Sequence, residues 1–92
     1  MKVVLSSVGN IDRNENPNKP KYGSKDKIVE VISMKEARTK CMKYIDDNDL
    51  GGGNWSGGDI LDDNGKFLAH ISYNGRIWEE RNWTPTTKEI IV

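Results

Sequence analysis

The chain has 92 residues, which is enough for one domain and too few for two. Charged residues make up 30% of it and the mean hydropathy is −0.74, so we expect a well-solvated surface and little interior for a deep cofactor cavity. The single cysteine, Cys41, excludes an intramolecular disulfide, and no apolar run approaches the about 20 residues that cross a bilayer. We therefore expect one domain, residues 1–92, in a reducing cytoplasm.

The charges are divided unevenly along the chain. Residues 1–45 carry ten Lys and Arg against five Asp and Glu, a net charge of +5, whereas residues 46–92 carry four against nine, a net charge of −5. Such a chain can present a basic surface and an acidic surface at once. The alternative is that folding interleaves the two halves and cancels the asymmetry.

The first part of the chain predicts two strands separated by a long polar loop. Residues 2–8 are rich in Val and Leu, which favour a strand. Residues 9–26 contain Pro17 and Pro20 and cannot form a regular strand or helix. Loops of this length in compact domains are usually functional or disordered. Residues 27–32 predict a second strand, with Val29 and Val31 on one face.

A helix is predicted to begin after Ser33. The Ser33 hydroxyl can cap the first turn while Glu36, three residues later, reaches back to form a capping box. An apolar stripe at helical spacing follows, formed by Ala37, Cys41, Tyr44 and Ile45. Acidic residues oppose the negative end of the helix dipole, so we expect the helix to fray near Asp47 and to stop at Gly51.

Two Asn-Gly pairs after the glycine-rich link of residues 51–58 predict two tight hairpins. Asn64-Gly65 and Asn74-Gly75 are typical of two-residue type I′ turns, in which both residues take positive φ. The turns delimit three strands over residues 58–63, 66–73 and 76–81. Residues 82–92 are predicted to be a loose tail or one further edge strand.

The register of these turns assigns one face of the meander to the core. It places Asp59 opposite His70, Leu61 opposite Leu68, His70 opposite Glu79 and Ile71 opposite Trp78. The face predicted to pack on the helix carries Ile60, Phe67, Ala69, Ile71, Tyr73 and Trp78. The expected fold is therefore α+β, with one helix packed on a mostly antiparallel sheet of about five strands: strand, long loop, strand, helix and three-stranded meander.

The sequence offers no obvious catalytic or metal constellation. His70 is the only histidine, and its predicted neighbours Asp59 and Glu79 suit an ion pair or hydrogen bond, because the register places no Ser or Cys nucleophile beside it. The acidic run of residues 46–49 lacks the EF-hand spacing, and the glycines of the link lack the Lys-Ser/Thr of a phosphate loop. We therefore expect no enzyme activity, metal, cofactor or small-molecule substrate, although a pocket near residues 51–58 would suit a nucleotide scavenger.

We expect a macromolecular partner to contact the long loop, the exposed helix face and the glycine-rich link. Lysine beside an aromatic ring suits a nucleic-acid backbone or an acidic protein groove, and tryptophan is enriched at binding hot spots. The predicted partner-binding residues are Arg13, Lys19, Lys21, Tyr22, Lys25, Arg38, Lys40, Lys43, Asn54 and Trp55. The alternatives are a merely solvated loop, a Trp55 tucked over the core, and a site formed instead by Asp59, Asp62, Asp63, Glu79 and Glu80.

Three segments stand out in about residues 27–80: the capped helix that begins Ser33-Met34-Lys35-Glu36-Ala37, and the hairpin segments Asn64-Gly65-Lys66-Phe67-Leu68-Ala69 and Tyr73-Asn74-Gly75-Arg76-Ile77-Trp78. Their layout resembles small phage-encoded anti-CRISPR proteins that inhibit type I surveillance complexes, subtype I-F among them. The long loop and the tail have no counterpart, and no functional residue is carried over by position.

The resemblance implies a phage inhibitor in the host bacterial cytoplasm. Its partners would be Cas proteins of a type I surveillance complex, with guide RNA contacts, and it would block target DNA recognition by occlusion, with no membrane involved. The alternative is a direct nucleic-acid-binding protein or phage transcription regulator, which the basic first half favours and the acidic second half opposes.

Overall fold

A computed structural model describes residues 1–10, 14–21 and 24–92. This part of the chain contains one helix and six strands. In chain order they are β1 (Lys2–Leu5), β2 (Lys27–Glu30), α1 (Met34–Asp47), β3 (Asp59–Leu61), β4 (Phe67–Ile71), β5 (Ile77–Trp78) and β6 (Glu89–Ile90).

The strands form one antiparallel sheet in the order β2-β1-β3-β4-β5-β6, and α1 packs across one of its faces against β1. The core lies between them, where side chains from both layers are buried together: Val3, Leu5, Val31, Ala37, Cys41, Tyr44, Leu50, Ile60, Ala69, Ile71 and Ile77. The predicted α+β class with one helix on an antiparallel sheet is confirmed. The sixth strand is formed by the tail, which pairs with β5 as an edge strand.

Helix α1 begins and is oriented as its sequence predicts. The Ser33 hydroxyl accepts a hydrogen bond from the Glu36 N–H, and the Glu36 carboxylate accepts one from the Ile32 N–H, so the cap is reciprocal. Ala37, Cys41 and Tyr44 of the predicted stripe are buried against the sheet.

Helix α1 ends at Asp47, where the sequence predicts fraying, but the residue that stops it is not Gly51. Asp49, two residues before the expected stop at Gly51, takes the left-handed conformation with φ 51°. The Leu50 N–H then donates to the Ile45 carbonyl at 2.9 Å and the Asp49 N–H to the Asp46 carbonyl at 3.1 Å, which is a Schellman ending. Leu50 is buried beneath it.

Both hairpins form, but their turns are not the predicted type I′ turns. The Asp62 N–H donates to the Lys66 carbonyl and the Ser72 N–H to the Arg76 carbonyl, so each loop holds three residues instead of two. Gly65 and Gly75 have φ 82° and 84°, whereas neither Asn64 nor Asn74 has positive φ. Each loop is therefore a type I turn followed by a glycine in the left-handed region.

The extra loop residue shifts the register by one position. In the first hairpin Leu61 faces Phe67 instead of Leu68, and an irregularity between Ile60 and Leu61 restores the predicted pair of Asp59 with His70. The second hairpin has no such irregularity, so Ile71 faces Ile77 and His70 faces Trp78.

A one-residue shift moves every side chain of a strand to the opposite face. Ile77, 1% exposed, therefore occupies the core position predicted for Trp78, and Trp78 lies on the face opposite α1. The predicted core places of Phe67 and Tyr73 are also wrong, because Phe67 is only half-buried and Tyr73 is exposed.

The glycine-rich link is held against the sheet. Ser7 and Trp55 form an isolated antiparallel bridge, and the Val8 N–H donates to the Asn54 carbonyl at 2.8 Å. At Gly58, with φ 107°, a Cβ would stand 2.1 Å from the Ile71 carbonyl oxygen, so only glycine fits this approach. Within the described ranges, no helix is long and apolar enough to span a membrane.

Candidate functional site

A surface groove lies between α1 and the strands β1 and β2, and we name it the basic groove. It has a volume of about 320 Å³ and is lined by Lys27, Lys40, Lys43 and, between them, Leu5, Val29, Tyr44, Asp47 and Asn48. Lys40 and Lys43 are three positions apart on the exposed side of α1, and Lys27 is the first residue of β2. The fold thus brings together lysines that are 13 and 16 residues apart in sequence, from 27 to 40 and from 27 to 43.

The positive charge of the basic groove is only partly compensated. Lys43 Nζ lies 2.8 Å from Asp47 Oδ2, and this hydrogen bond, with the attraction of the carboxylate, raises the pKa of Lys43. Over residues 1–10, 14–21 and 24–92, Lys27 and Lys40 have no ion-pair partner. Three ammonium groups therefore face one carboxylate, an arrangement that favours phosphate or acidic side chains as ligands.

Two further predicted lysines lie at the border of the groove but differ in availability. The Lys25 carbonyl accepts a hydrogen bond from the Tyr44 hydroxyl at 2.9 Å, which ties the backbone there to the groove wall and leaves the Lys25 side chain exposed. Lys21 Nζ instead donates to the carbonyls of Asn48 and Asp49 at the C-terminus of α1. The ammonium of Lys21 thus caps the helix and faces its negative dipole end.

The other predicted contacts are dispersed. Lys19 is exposed and lines a separate surface cavity with Gly9, Glu15 and Asn16, and Arg38 is half-buried on α1. Arg13 and Tyr22 lie outside the described residues. Of the ten predicted positions, Lys40 and Lys43 line the basic groove, where Lys27 joins them. Lys21 and Lys25 only contact residues of its lining, Asn48 and Tyr44, and Lys21 also lines the cavity of Lys19.

Asn54, predicted as an exposed contact, is fully buried, which corrects that assignment. Its Oδ1 accepts a hydrogen bond from the Gly51 N–H, and its Nδ2 donates to the Val8 carbonyl and to Glu15 Oε1. Asn54 therefore joins the glycine-rich link to the long loop, and its side chain has no surface to offer a partner.

Trp55 is half-buried and fits the alternative of a ring tucked over the core. Its ring packs at 6.1 Å from that of Tyr44, and its Nε1–H donates to the Ile71 carbonyl at 3.0 Å. Both the ring and the polar end of Trp55 are thus engaged within the fold.

Asp62 and Asp63, two residues of the alternative acidic site, are engaged in contacts within the fold. Asp62 Oδ1 accepts hydrogen bonds from the N–H groups of Asn64 and Lys66 in the first turn. Asp63 Oδ1 lies 2.7 Å from the Met1 ammonium, and this hydrogen bond lowers the pKa of Asp63 and raises that of the amine. These contacts compensate part of the alternative acidic site, whereas Glu79 and Glu80 are exposed and have no ion-pair partner in the described ranges.

A second concavity, missed from the sequence, lies on the sheet face opposite α1, and we name it the open-face cleft. Its volume is about 450 Å³, and its walls include His70, Arg76, Trp78, Arg81 and Trp83. The sequence did not predict this cleft, because the predicted register places Trp78 in the core. The signal available in the sequence was the alternative three-residue loop, since an Asn-Gly pair fits both kinds of hairpin.

Asp59 organises one end of the open-face cleft. Its Oδ1 lies 3.0 Å from His70 Nδ1, and its Oδ2 lies 2.7 Å from Arg81 Nη2, so this one carboxylate contacts both the imidazole and the guanidinium. The Arg81 guanidinium also lies over the Phe67 ring, 4.9 Å from its centroid. The pairing of His70 with Asp59 thus forms as predicted, as a hydrogen bond.

No cluster of three or more His, Cys, Asp or Glu side chains suited to a metal ion occurs in the described ranges. Comparison of the chain with protein-family models, with curated proteins and with solved structures found no match. What the protein does is therefore argued from its own surfaces.

Proposed function

We propose that this protein inhibits a type I CRISPR-Cas surveillance complex by binding it through the basic groove and occluding target DNA recognition. The observation that supports this is the meeting of Lys27, Lys40 and Lys43 in one groove, where two of the three ammonium groups have no ion-pair partner among the described residues. Such a surface is attracted to the phosphates of guide RNA or to an acidic patch of a Cas subunit.

A basic groove could bind many polyanionic assemblies, and the sequence resemblance is the reason for proposing a surveillance complex. The resemblance of residues 27–80 to anti-CRISPR proteins covers β2 and α1, which carry the three lysines of the groove, whereas β1 lies outside it. An RNA-guided complex also presents both chemistries that a lysine groove recognises, phosphate and protein carboxylate. Occlusion requires affinity and size only, so the proposal needs no catalytic residue.

The deciding experiment combines binding with inhibition. The protein is mixed with a purified type I surveillance complex, passed over a sizing column, and tested for loss of guide-matched DNA binding. We expect co-elution and a loss of DNA binding that saturates with added protein. Failure to co-elute with any such complex would remove the proposal.

A matched pair of double variants tests the groove itself. Lys27→Glu with Lys40→Glu should weaken binding several-fold or more, because it replaces attraction by repulsion, whereas Lys66→Glu with Lys88→Glu changes the net charge equally at positions away from the groove. Equal weakening by both variants would show a diffuse charge effect and no groove site.

The basic groove also supports a second function, direct binding of nucleic acid without a Cas protein. Lysines without partners neutralise phosphates whatever molecule carries them, and that binding weakens steeply with salt. A shift assay with bare DNA and RNA at low salt separates the two functions. Tight binding to bare nucleic acid, with no gain when the surveillance complex is present, would favour the direct binder.

A further inference from the structure

The open-face cleft holds a pair of tryptophan rings in a fixed arrangement. The Trp78 and Trp83 ring centroids are 6.3 Å apart with an interplanar angle of 80°, an edge-to-face contact. The Trp78 Nε1–H donates to Ser72 Oγ at 3.3 Å, which orients that ring, while Trp83 remains 61% exposed. Because the two rings are nearly perpendicular, a flat ligand can stack on the exposed Trp83 ring while Trp78 supports that ring from the side.

The same cleft holds guanidinium groups at its wall. Arg76 has no ion-pair or side-chain hydrogen-bond partner in the part of the chain that the structure describes. Arg81 is held by Asp59 and by the Phe67 ring, so its position is set before any ligand arrives. The cleft thus pairs an aromatic platform with one free and one pre-oriented guanidinium.

Aromatic platforms flanked by arginine are the means by which open antiparallel sheets bind unpaired bases and their phosphates. Glu80, a carboxylate at the wall with no ion-pair partner in the described residues, is an acceptor for the exocyclic amine of a base. We propose that the open-face cleft binds an unpaired nucleobase together with its phosphate, the base stacking on the exposed Trp83 ring and the phosphate meeting Arg76.

This site is separate from the basic groove. The groove lies at the β2 edge on the helix side of the sheet, whereas the cleft lies at β4 and β5 on the opposite face. Three strand intervals separate β2 from β4, which is about 14 Å along the sheet. The two surfaces can therefore be altered independently, and the cleft proposal does not rest on the proposed function.

The test is a tryptophan-fluorescence titration in a Lys27→Gln, Lys40→Gln background, which removes the two groove lysines that have no ion-pair partner in the described ranges and so weakens binding by the groove. The probes are an oligonucleotide of about ten deoxycytidines and the mononucleotide CMP, both at low salt. We expect quenching that saturates. Tighter binding of the oligomer identifies a single strand as the source of the base, and equal affinity identifies a free nucleotide. The absence of saturable quenching by both probes overturns the proposal.

Two substitutions locate the ligand within the cleft. Trp83→Ala should weaken binding about ten-fold by loss of stacking, and Trp83→Tyr should retain most of it. Arg76→Gln should reduce the salt dependence of binding by one phosphate contact, a slope change of about 0.7, whereas Lys66→Gln should not change it. Unchanged nucleotide affinity in Trp83→Ala would overturn the proposal. So would the finding that neither probe binds while binding of the surveillance complex requires Trp83, because the cleft would then receive a protein side chain.

Discussion

Lys21 shows how a side chain that the sequence assigns to a partner can instead serve the fold. Its ammonium reaches the C-terminus of α1, 27 and 28 residues further along the chain, and donates to the carbonyls of Asn48 and Asp49. No local pattern predicts such a contact, because it depends on how the long loop crosses the helix end. A charge at that end stabilises the helix through its dipole and its unpaired carbonyls.

We therefore predict that Lys21→Gln lowers the free energy of unfolding by about 0.5–1 kcal/mol. Lys19→Gln is the matched control, because Lys19 is exposed and its ammonium has no partner in the described ranges. Urea unfolding of both variants measures the difference. Equal stability of the two variants would mean that the Lys21 contact contributes nothing in solution.

Cys41 is buried at the interface of α1 and the sheet, as the apolar stripe predicts. Burial raises the pKa of its thiol from 9.0 to about 12, because the thiolate is poorly solvated there. The folded state thus keeps this proton at a pH where the unfolded state releases it. The stability associated with the neutral thiol is complete below pH 9.0 and is lost as the pH rises toward 12.

We predict that the urea midpoint of the wild-type protein falls more steeply above pH 9.0 than that of Cys41→Ala, which has no thiol to ionise. The comparison removes the contributions of tyrosine and lysine, which both proteins share. A thiol reagent at pH 8 should leave the folded wild-type protein unmodified and react once urea unfolds it. Parallel pH profiles would show that Cys41 is not protected.

At the scale of elements, the helix was predictable and the hairpin register was not. The cap and stripe of α1 involve residues within eight positions of one another, so local rules decide them. The sequence Asn-Gly fits both a two-residue and a three-residue loop, and the choice moves Trp78 from the core to the open face. The open-face cleft was missed for this reason alone.

The two loop types make opposite predictions for the first hairpin. In the observed three-residue loop only Gly65 has positive φ, and a Cβ there would meet no atom within 4 Å, so Gly65→Ala isolates the backbone strain. We expect Gly65→Ala to lower the free energy of unfolding by about 1 kcal/mol and Asn64→Ala to change it little. A type I′ turn would instead make both substitutions costly, and thermal unfolding of the two variants decides between them.

At the scale of the whole molecule, the sequence predicts the division of charge between the two halves, but it does not predict which charged side chains are engaged within the fold. The basic half supplies all three lysines of the basic groove, as the asymmetry predicts. In the acidic half, Asp59, Asp62 and Asp63 hold a guanidinium, a turn and the terminal amine, whereas Glu79 and Glu80 remain exposed. Burial of Asn54 was equally hidden, because its partner Val8 is 46 residues away.

This use of the acidic residues separates two variants of equal charge change. Asp62→Lys removes the acceptor of two backbone N–H groups in the first turn, whereas Glu79 is exposed and its side chain has no partner in the described part of the chain. We predict that Asp62→Lys lowers the free energy of unfolding by about 1–2 kcal/mol and that Glu79→Lys stays within about 0.5 kcal/mol of the wild type. Calorimetry or urea unfolding provides both values.

The same two variants also test which charged surface would carry the proposed binding to a surveillance complex. If the basic groove is the contact, neither added lysine should weaken binding of the folded protein, because both lie outside the groove walls. If instead the acidic side enters the basic channel that holds target DNA, Glu79→Lys should weaken binding without loss of stability, since it reverses an attractive charge on an intact fold. Binding is measured at two salt concentrations. Added salt should weaken a charge-driven contact made by either surface, whereas a substitution should weaken binding only when it lies on the surface that makes the contact.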